Sequence, residues 1–429
     1  MVRRQARRRA TQGTITAEPA VAVIMQRKDW KMLASWIPYG MNWADVLLRW
    51  LHVTAAIAWI GSSFYFVWLD NSLEPPTEED VKARGVDGEL WAVHGGGFYN
   101  PQKYLVAPKN LPQHLHWFYW ESYTTWLSGF ALLCALYFYH AGIFIVDPRV
   151  FHWSSPALAG FSMLGFLVVG WLVYDAICRS FGQRKNGDRT VGALVAVYVL
   201  VAAWLACHLF AGRAAFLLTG AMLATTMSAN VFFWIIPGQR RVVAAMRAGQ
   251  APDPLDGKRG KQRSVHNTYF TLPVLFAMLS NHYSFLYEAR HNWLVLVLMM
   301  LAGALIRQFF VLKHKGAWKW QYWGVAVVIL GALIYSLAPQ LQQVSQAQAA
   351  PVSFAQVRAI VQQRCLLCHS GPNASKGVHL DSAAAIVSHS ADIYQQVVVT
   401  RAMPLNNATG ITDAQRAQIA RWVKEGAPH

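Results

Sequence analysis

Charge is scarce in this chain. Only 14% of its 429 residues are Asp, Glu, Lys or Arg, against 55% apolar. That excludes an ordinary soluble protein, and several apolar runs are long enough to span a bilayer. Acidic residues are scarcest, at 21 against 38 Lys and Arg, for a formal charge of +17. Such a surplus can mark a nucleic-acid binder. Here the basic residues sit in short loops between apolar runs, which is the pattern of membrane topology and argues against nucleic acid. Cysteine is also scarce: five do not make a disulfide framework. Cys134, Cys178 and Cys207 lie in or beside apolar runs, where a small buried apolar role is expected. The arginine-rich start (Arg3, Arg4, Arg7, Arg8, Arg9) has no apolar core behind it, so it is no ordinary secretory signal. Charges are nearly absent from the middle of the runs, Asp175 lying near an end, which disfavours an ion transporter or a redox-switched transport module.

The other two cysteines carry the clearest chemistry. Cys365-Leu366-Leu367-Cys368-His369 reads C-x-x-C-H, the attachment signature of a c-type haem. Two thiols one turn apart can each bond a vinyl group, and the adjacent histidine falls beneath the iron. Met403, the only methionine after residue 353, supplies a second axial ligand, so His369 and Met403 are the expected metal ligands. A zinc or redox pair is the competing reading, but the region holds no second cysteine pair. A helix over Phe354 to Arg364 leads into the motif. Another closes the tail, with Thr412 as N-cap, Gln415 completing a capping box, Gly426 after the last turn, and Ile419 and Trp422 facing the core. The tail 353–429 is small for an unaided core, and covalent haem would supply the missing apolar centre.

Eight apolar spans are expected, near 43–69, 123–146, 156–178, 191–210, 213–236, 268–287, 292–312 and 321–338, each close to the ~20 residues that cross ~30 Å of hydrocarbon. The fold class is therefore all-α: an eight-helix membrane bundle (41–338), a tether (339–352) and a class I-like cytochrome c domain (353–429). Residues 1–40 read as a disordered extension or misassigned start. C-type haem is attached outside the cytoplasm, so the tail lies in the periplasm of a bacterial inner membrane. The loops then falling in the cytoplasm, 179–190, 238–267 and 313–320, are the basic ones.

The cytoplasmic loop 70–122 is too long to be a mere connector. It carries His94, Gly95-Gly96-Gly97, Lys103, Lys109, His114 and His116 among aromatics. Inside the spans, His52, His140, His208 and His282 fall at a similar depth on the tail's side of the membrane. Ionisable groups at that depth default to function, and a b-type haem held by two of them, His52 foremost, would account for the clustering. Interhelical hydrogen bonding is the plainer alternative, and it suits His208 best.

The order of parts resembles the membrane-bound urate hydroxylase (cytochrome c-type urate oxidase) family. The matching stretches are Leu48-Arg49-Trp50-Leu51-His52 through Ala58-Trp59-Ile60-Gly61, Trp68-Leu69-Asp70-Asn71, His94-Gly95-Gly96-Gly97-Phe98-Tyr99, Ser228-Ala229-Asn230, Ile236-Pro237-Gly238-Gln239, His266-Asn267-Thr268-Tyr269, Ser280-Asn281-His282-Tyr283 and the C-x-x-C-H tail. The resemblance implies oxidation of urate to 5-hydroxyisourate in purine catabolism. Electrons would pass through haem c to a soluble cytochrome c or terminal oxidase. His94, His114 or His116 is then the expected base, and Lys103 or Lys109 the anion holder, with the glycine run offering backbone N–H groups. A cytoplasmic urate site and a periplasmic haem lie ~30 Å apart, so either urate binds within the spans or a second redox centre sits between, and the b-type haem is expected as that relay. The alternative is a membrane cytochrome that only carries electrons, for example from quinol, with no urate site.

Overall fold

The computed structural model describes residues 27–104, 107–108, 111–338, 351–372 and 374–429. Lys109, and most of the expected segment 1–40 and tether 339–352, lie outside them. The described residues are 71% helical with almost no strand. It divides into two compact units, Met1–Ala44 and Asp45–His429. In the first, helix α1 begins at Arg27, and Trp36 and Tyr39 meet edge to face at 5.6 Å.

The second unit opens with the rest of α1 (Arg27–Ser72). The bundle continues through α3 (Trp120–Leu132), α5 (Pro156–Phe181), α6 (Gly187–Leu209), α7 (Gly212–Asn230), α8 (Ile236–Arg247), α9 (Pro254–Leu279), α11 (Asn292–His314) and α12 (Trp320–Ser336), with short helices α4 (Ala141–Phe144) and α10 (Ser284–Tyr287) between them. Five helical stretches are long and apolar enough to cross a membrane: Tyr39–Ser72, Pro156–Phe181, Gly187–Leu209, Gly212–Arg247 and Asn292–His314. Each of the other three expected spans departs in its own way. Near 123–146, α3 widens into a π-helical turn, Leu133–Phe138, and breaks before α4. The span at 268–287 is the end of a longer helix, α9, whose first half is polar. The last, α12, has 17 residues. The expected basic loop 238–267 is mostly helix, because α8 continues α7 through a π turn and α9 begins at Pro254.

Helix α7 is the central post, packed chiefly against α9 and α5. It is lined with small residues, so backbones approach closely without large apolar knobs, as helix association in lipid requires. At Gly220 a Cβ would lie 2.5 Å from the Ala277 Cβ of α9, so only glycine fits.

The fold is mostly helical, as expected, and its few strands lie in one segment. Segment 70–122 contains a short helix, α2 (Glu79–Ala83), and four short strands, β1 (Val86–Glu89), β2 (Ala92–His94), β3 (Gly97–Tyr99) and β4 (Gln102–Tyr104). They form two antiparallel pairs, β1–β4 and β2–β3. Gly95 (φ +59°) and Gly96 (φ +80°) close the β2–β3 hairpin in left-handed conformations. The glycine run therefore serves a tight turn, a use its local sequence shares with a ligand loop.

The tail has a hydrophobic cluster of its own, running from Val352 to Ala427. Its helices are α13 (Phe354–Arg364), α14 (Ala383–Ser388), α15 (Ser390–Ile393) and α16 (Asp413–Lys424). The capping box at Thr412 and Gln415 is present, a second one stands at Ser353 and Gln356, and Ile419 and Trp422 are fully buried. The tail touches the bundle where Asn406 Nδ2 donates to the Ile143 carbonyl of α4 at 2.6 Å.

Candidate functional site

The residues nominated in segment 70–122 do not gather. His94, His114 and His116 are exposed, on the hairpin and on the approach to α3. His116 sits edge-on to Phe118, ring centroids 4.6 Å apart. Lys103 is half-exposed and ion-paired with Asp70 of α1. No hydrogen bond or ion pair joins any two of the four.

Of the four span histidines only His52 turns inward. Its Nδ1 lies 3.0 Å from the Thr125 carbonyl and 3.2 Å from Ser128 Oγ. The ring rests on Gly129, where a Cβ would come within 2.8 Å. His140 and His282 are exposed, and exposed His208 bonds the carbonyl of its own helix at Trp204, 2.7 Å away. Among the described residues no hydrogen bond or ring contact joins two of these four histidines. Among the described residues no group of three or more His, Cys, Asp or Glu gathers as a metal site.

A buried polar chain lies instead where α5, α7, the π turn, α8 and α9 meet. Asp175 is paired with Arg263 at 2.7 Å and Arg179 at 2.6 Å, and accepts from Trp234 Nε1 at 2.8 Å. Arg263, 2% exposed, also donates to Asn230 Oδ1 at 3.0 Å. That fixes the Asn230 amide, whose Nδ2 donates to Asn267 Oδ1 at 3.0 Å and to the Tyr174 hydroxyl oxygen at 3.1 Å. Tyr174 therefore directs its own proton to His266 Nδ1, 2.7 Å away. The network assigns His266 as neutral, with its proton on Nε2.

His266 lines a cavity of about 860 Å³ between α6, α9 and α11. Lys258, Lys261, Gln262 and Asp188 stand at one end, and Val195, Val199, Phe270, Val297 and Met300 make the rest apolar. Lining residues Leu200 and Leu301 are also exposed on the outer surface of the bundle, so the cavity opens sideways.

A second cluster lies across α9. Arg307 of α11 is 5% exposed, yet its Nε and Nη2 have no hydrogen-bond partner. The guanidinium lies over the Phe64 ring of α1, 4.6 Å from its centroid. Tyr269 donates to the Gln308 side-chain carbonyl beside it. An unpaired cation at such a depth costs at least ~2.5–3.5 kcal/mol. Both clusters escaped the sequence reading because their partners are far apart in the chain. A signal existed for each: Asn230, His266 and Asn267 stand in family-like stretches, and Arg307 is the one cation between Asn292 and Leu312.

Cys365 closes α13, and His369 Nδ1 donates to the Val378 carbonyl at 3.1 Å, leaving Nε2 free for a metal. Met403 packs on the tail core and is tied down through its backbone. Its N–H donates to Gln396 at 3.0 Å, and its carbonyl accepts from Arg416 at 2.9 Å. Leu367 is 79% exposed and Val399 48%, an uncovered apolar surface on a small domain. These residues fit a covalent haem, with Cys365 and Cys368 as anchors.

The model of the urate oxidase N-terminal family matches residues 38–338. The chain belongs to this family. The match covers the helical bundle, including His266, Arg307 and the exposed hairpin, and stops before the tail. It makes the protein a relative of urate-oxidising enzymes. No curated protein and no solved structure matches.

Proposed function

We propose that the protein is a membrane-bound urate hydroxylase that passes its electrons to a c-type haem on the tail. The observation that carries this reading is the urate oxidase family match over a bundle of apolar helices whose own chain continues into C-x-x-C-H. The bundle crosses the inner membrane eight times, with the basic loops in the cytoplasm and the tail in the periplasm. Urate loses two electrons and two protons, and water adds at C5 to give 5-hydroxyisourate.

The residues divide the work. Cys365 and Cys368 hold the haem, and His369 and Met403 ligate its iron. Bound there, the haem supplies one-electron transfer toward a soluble cytochrome c or terminal oxidase. The exposed positions of His94, His114, His116 and Lys103 favour a site elsewhere. A substrate held on the cytoplasmic surface would lie ~30 Å from the tail's side. Polar groups buried among the helices favour binding within the membrane domain, which shortens that path. His266 turns its Nε2–H to the cavity it lines, and the Tyr174–Asn230–Arg263 chain keeps it in that state.

A second reading is favoured by the largely apolar, sideways-opening cavity at His266: a membrane cytochrome that oxidises quinol. Purified protein supplied with urate and an artificial acceptor separates the two. The urate reading expects 5-hydroxyisourate, lost in His369→Ala. Reduction of the haem by a quinol, with urate left unchanged, would establish the second reading instead.

A further inference from the structure

We propose that Arg307, beside Phe64, Tyr269 and Gln308, is the receptor for the urate anion. This rests on the urate reading above and names its binding site. Three buried arginines stand among the described residues, and two are satisfied by the protein itself. Arg263 has Asp175 and Asn230, and Arg416 has the carbonyls of Val397 and Met403. Arg307 has the face of Phe64 and nothing to accept its Nε and Nη2 protons.

The surrounding charges do not supply a counter-ion. Lys313 and His314 share α11 with Arg307, Tyr269 approaches from α9, and Tyr322 belongs to α12. No carboxylate is paired with the guanidinium. A buried cation with no internal partner calls for an external anion. The ligand class follows from the shapes present. A guanidinium edge binds a planar anion through two parallel N–H donors. The Tyr269 hydroxyl occupies the Gln308 carbonyl, which leaves the amide NH2 to face a ring oxygen or nitrogen. Phe64, its face under the guanidinium, leaves the Nε and Nη2 edge for such an anion. His314 lies two turns further along the helix and also has an unpartnered Nδ1, so unpartnered polar atoms run from the helix end toward Arg307. In the proposed topology that end faces the cytoplasm, where urate is made.

The test uses the full chain in nanodiscs, with urate as the probe and an artificial acceptor. Arg307→Gln is expected to raise the urate KM about 100-fold, and Arg307→Lys, which keeps the charge but not the fork, about 10-fold. Reduction of the haem by ascorbate is expected to be unchanged in both. Arg307→Met reports on structure: a binding arginine leaves the unfolding temperature unchanged or raised, and a structural one lowers it. Wild-type urate kinetics in Arg307→Gln would overturn the assignment while leaving the urate reading intact. So would loss of a co-purifying anionic lipid from that variant with KM unaltered. Failure of the wild type to oxidise urate would remove the reading and the assignment together.

Discussion

Arg263 and Arg307 are both buried in the helical bundle, and the protein treats them in opposite ways. Arg263 sits at the centre of a polar chain in which it, Asp175, Asn230 and Tyr174 all have partners. Arg307 rests on an aromatic face with two donors unspent. Buried charge is costly in either place, but only the first cost is met from within the chain. A self-satisfied network holds helices in register. An unsatisfied group marks where something else belongs.

The largest expected effect breaks the closed side of this comparison. Arg263→Met leaves Asp175 buried with two of its three partners and should cost about 3–5 kcal/mol of stability, read by unfolding in nanodiscs. Equal losses in Arg263→Met and Arg307→Met would erase the distinction. Next comes Gly220→Ala, which forces apart α7 and α9, the helices that carry the closed network. Its added methyl would meet the Ala277 Cβ at 2.5 Å, for a cost of about 1–3 kcal/mol.

Tyr174→Phe is gentler. It removes the link between Asn230 and His266, for about 1 kcal/mol, and frees His266 to change tautomer, a shift visible in ring-nitrogen NMR. An unchanged tautomer would show that the chain does not govern His266. The smallest effect lies outside the spans, at Glu288. Burial pushes its carboxyl above the ordinary glutamate range, with Arg149 pulling the other way. A raised carboxyl favours the folded state at low pH, and that advantage is lost as pH rises through its folded value. Glu288→Gln should therefore match the wild type near the ordinary value of 4.5 and be slightly more stable at neutral pH. A variant less stable at pH 7 would mean that the Arg149 contact outweighs the burial.

What could be read from the sequence was local or periodic. The capping box at Thr412 and Gln415, the helix Phe354–Arg364 and the fully buried Trp422 follow from short-range pattern. The helical runs follow from length and apolarity. The strands of segment 70–122 escaped because three or four residues give too little alternation to register. A glycine run such as 95–97 suits ligand contact and a tight turn alike, and its backbone geometry here serves a turn. The histidines of that segment drew attention as candidate bases, yet they are exposed, and the residue with a directed hydrogen bond and a cavity is His266. Its partner Tyr174 lies on another helix, a separation that no local pattern records.

The central claim is that urate feeds electrons into the tail. The most direct measurement is anaerobic addition of urate to membranes containing the full chain while the α-band of the c-type haem is followed. The account expects the reduced band to grow on urate addition and to be absent in His369→Ala. An oxidised haem that ignores urate but is reduced by ascorbate would contradict it.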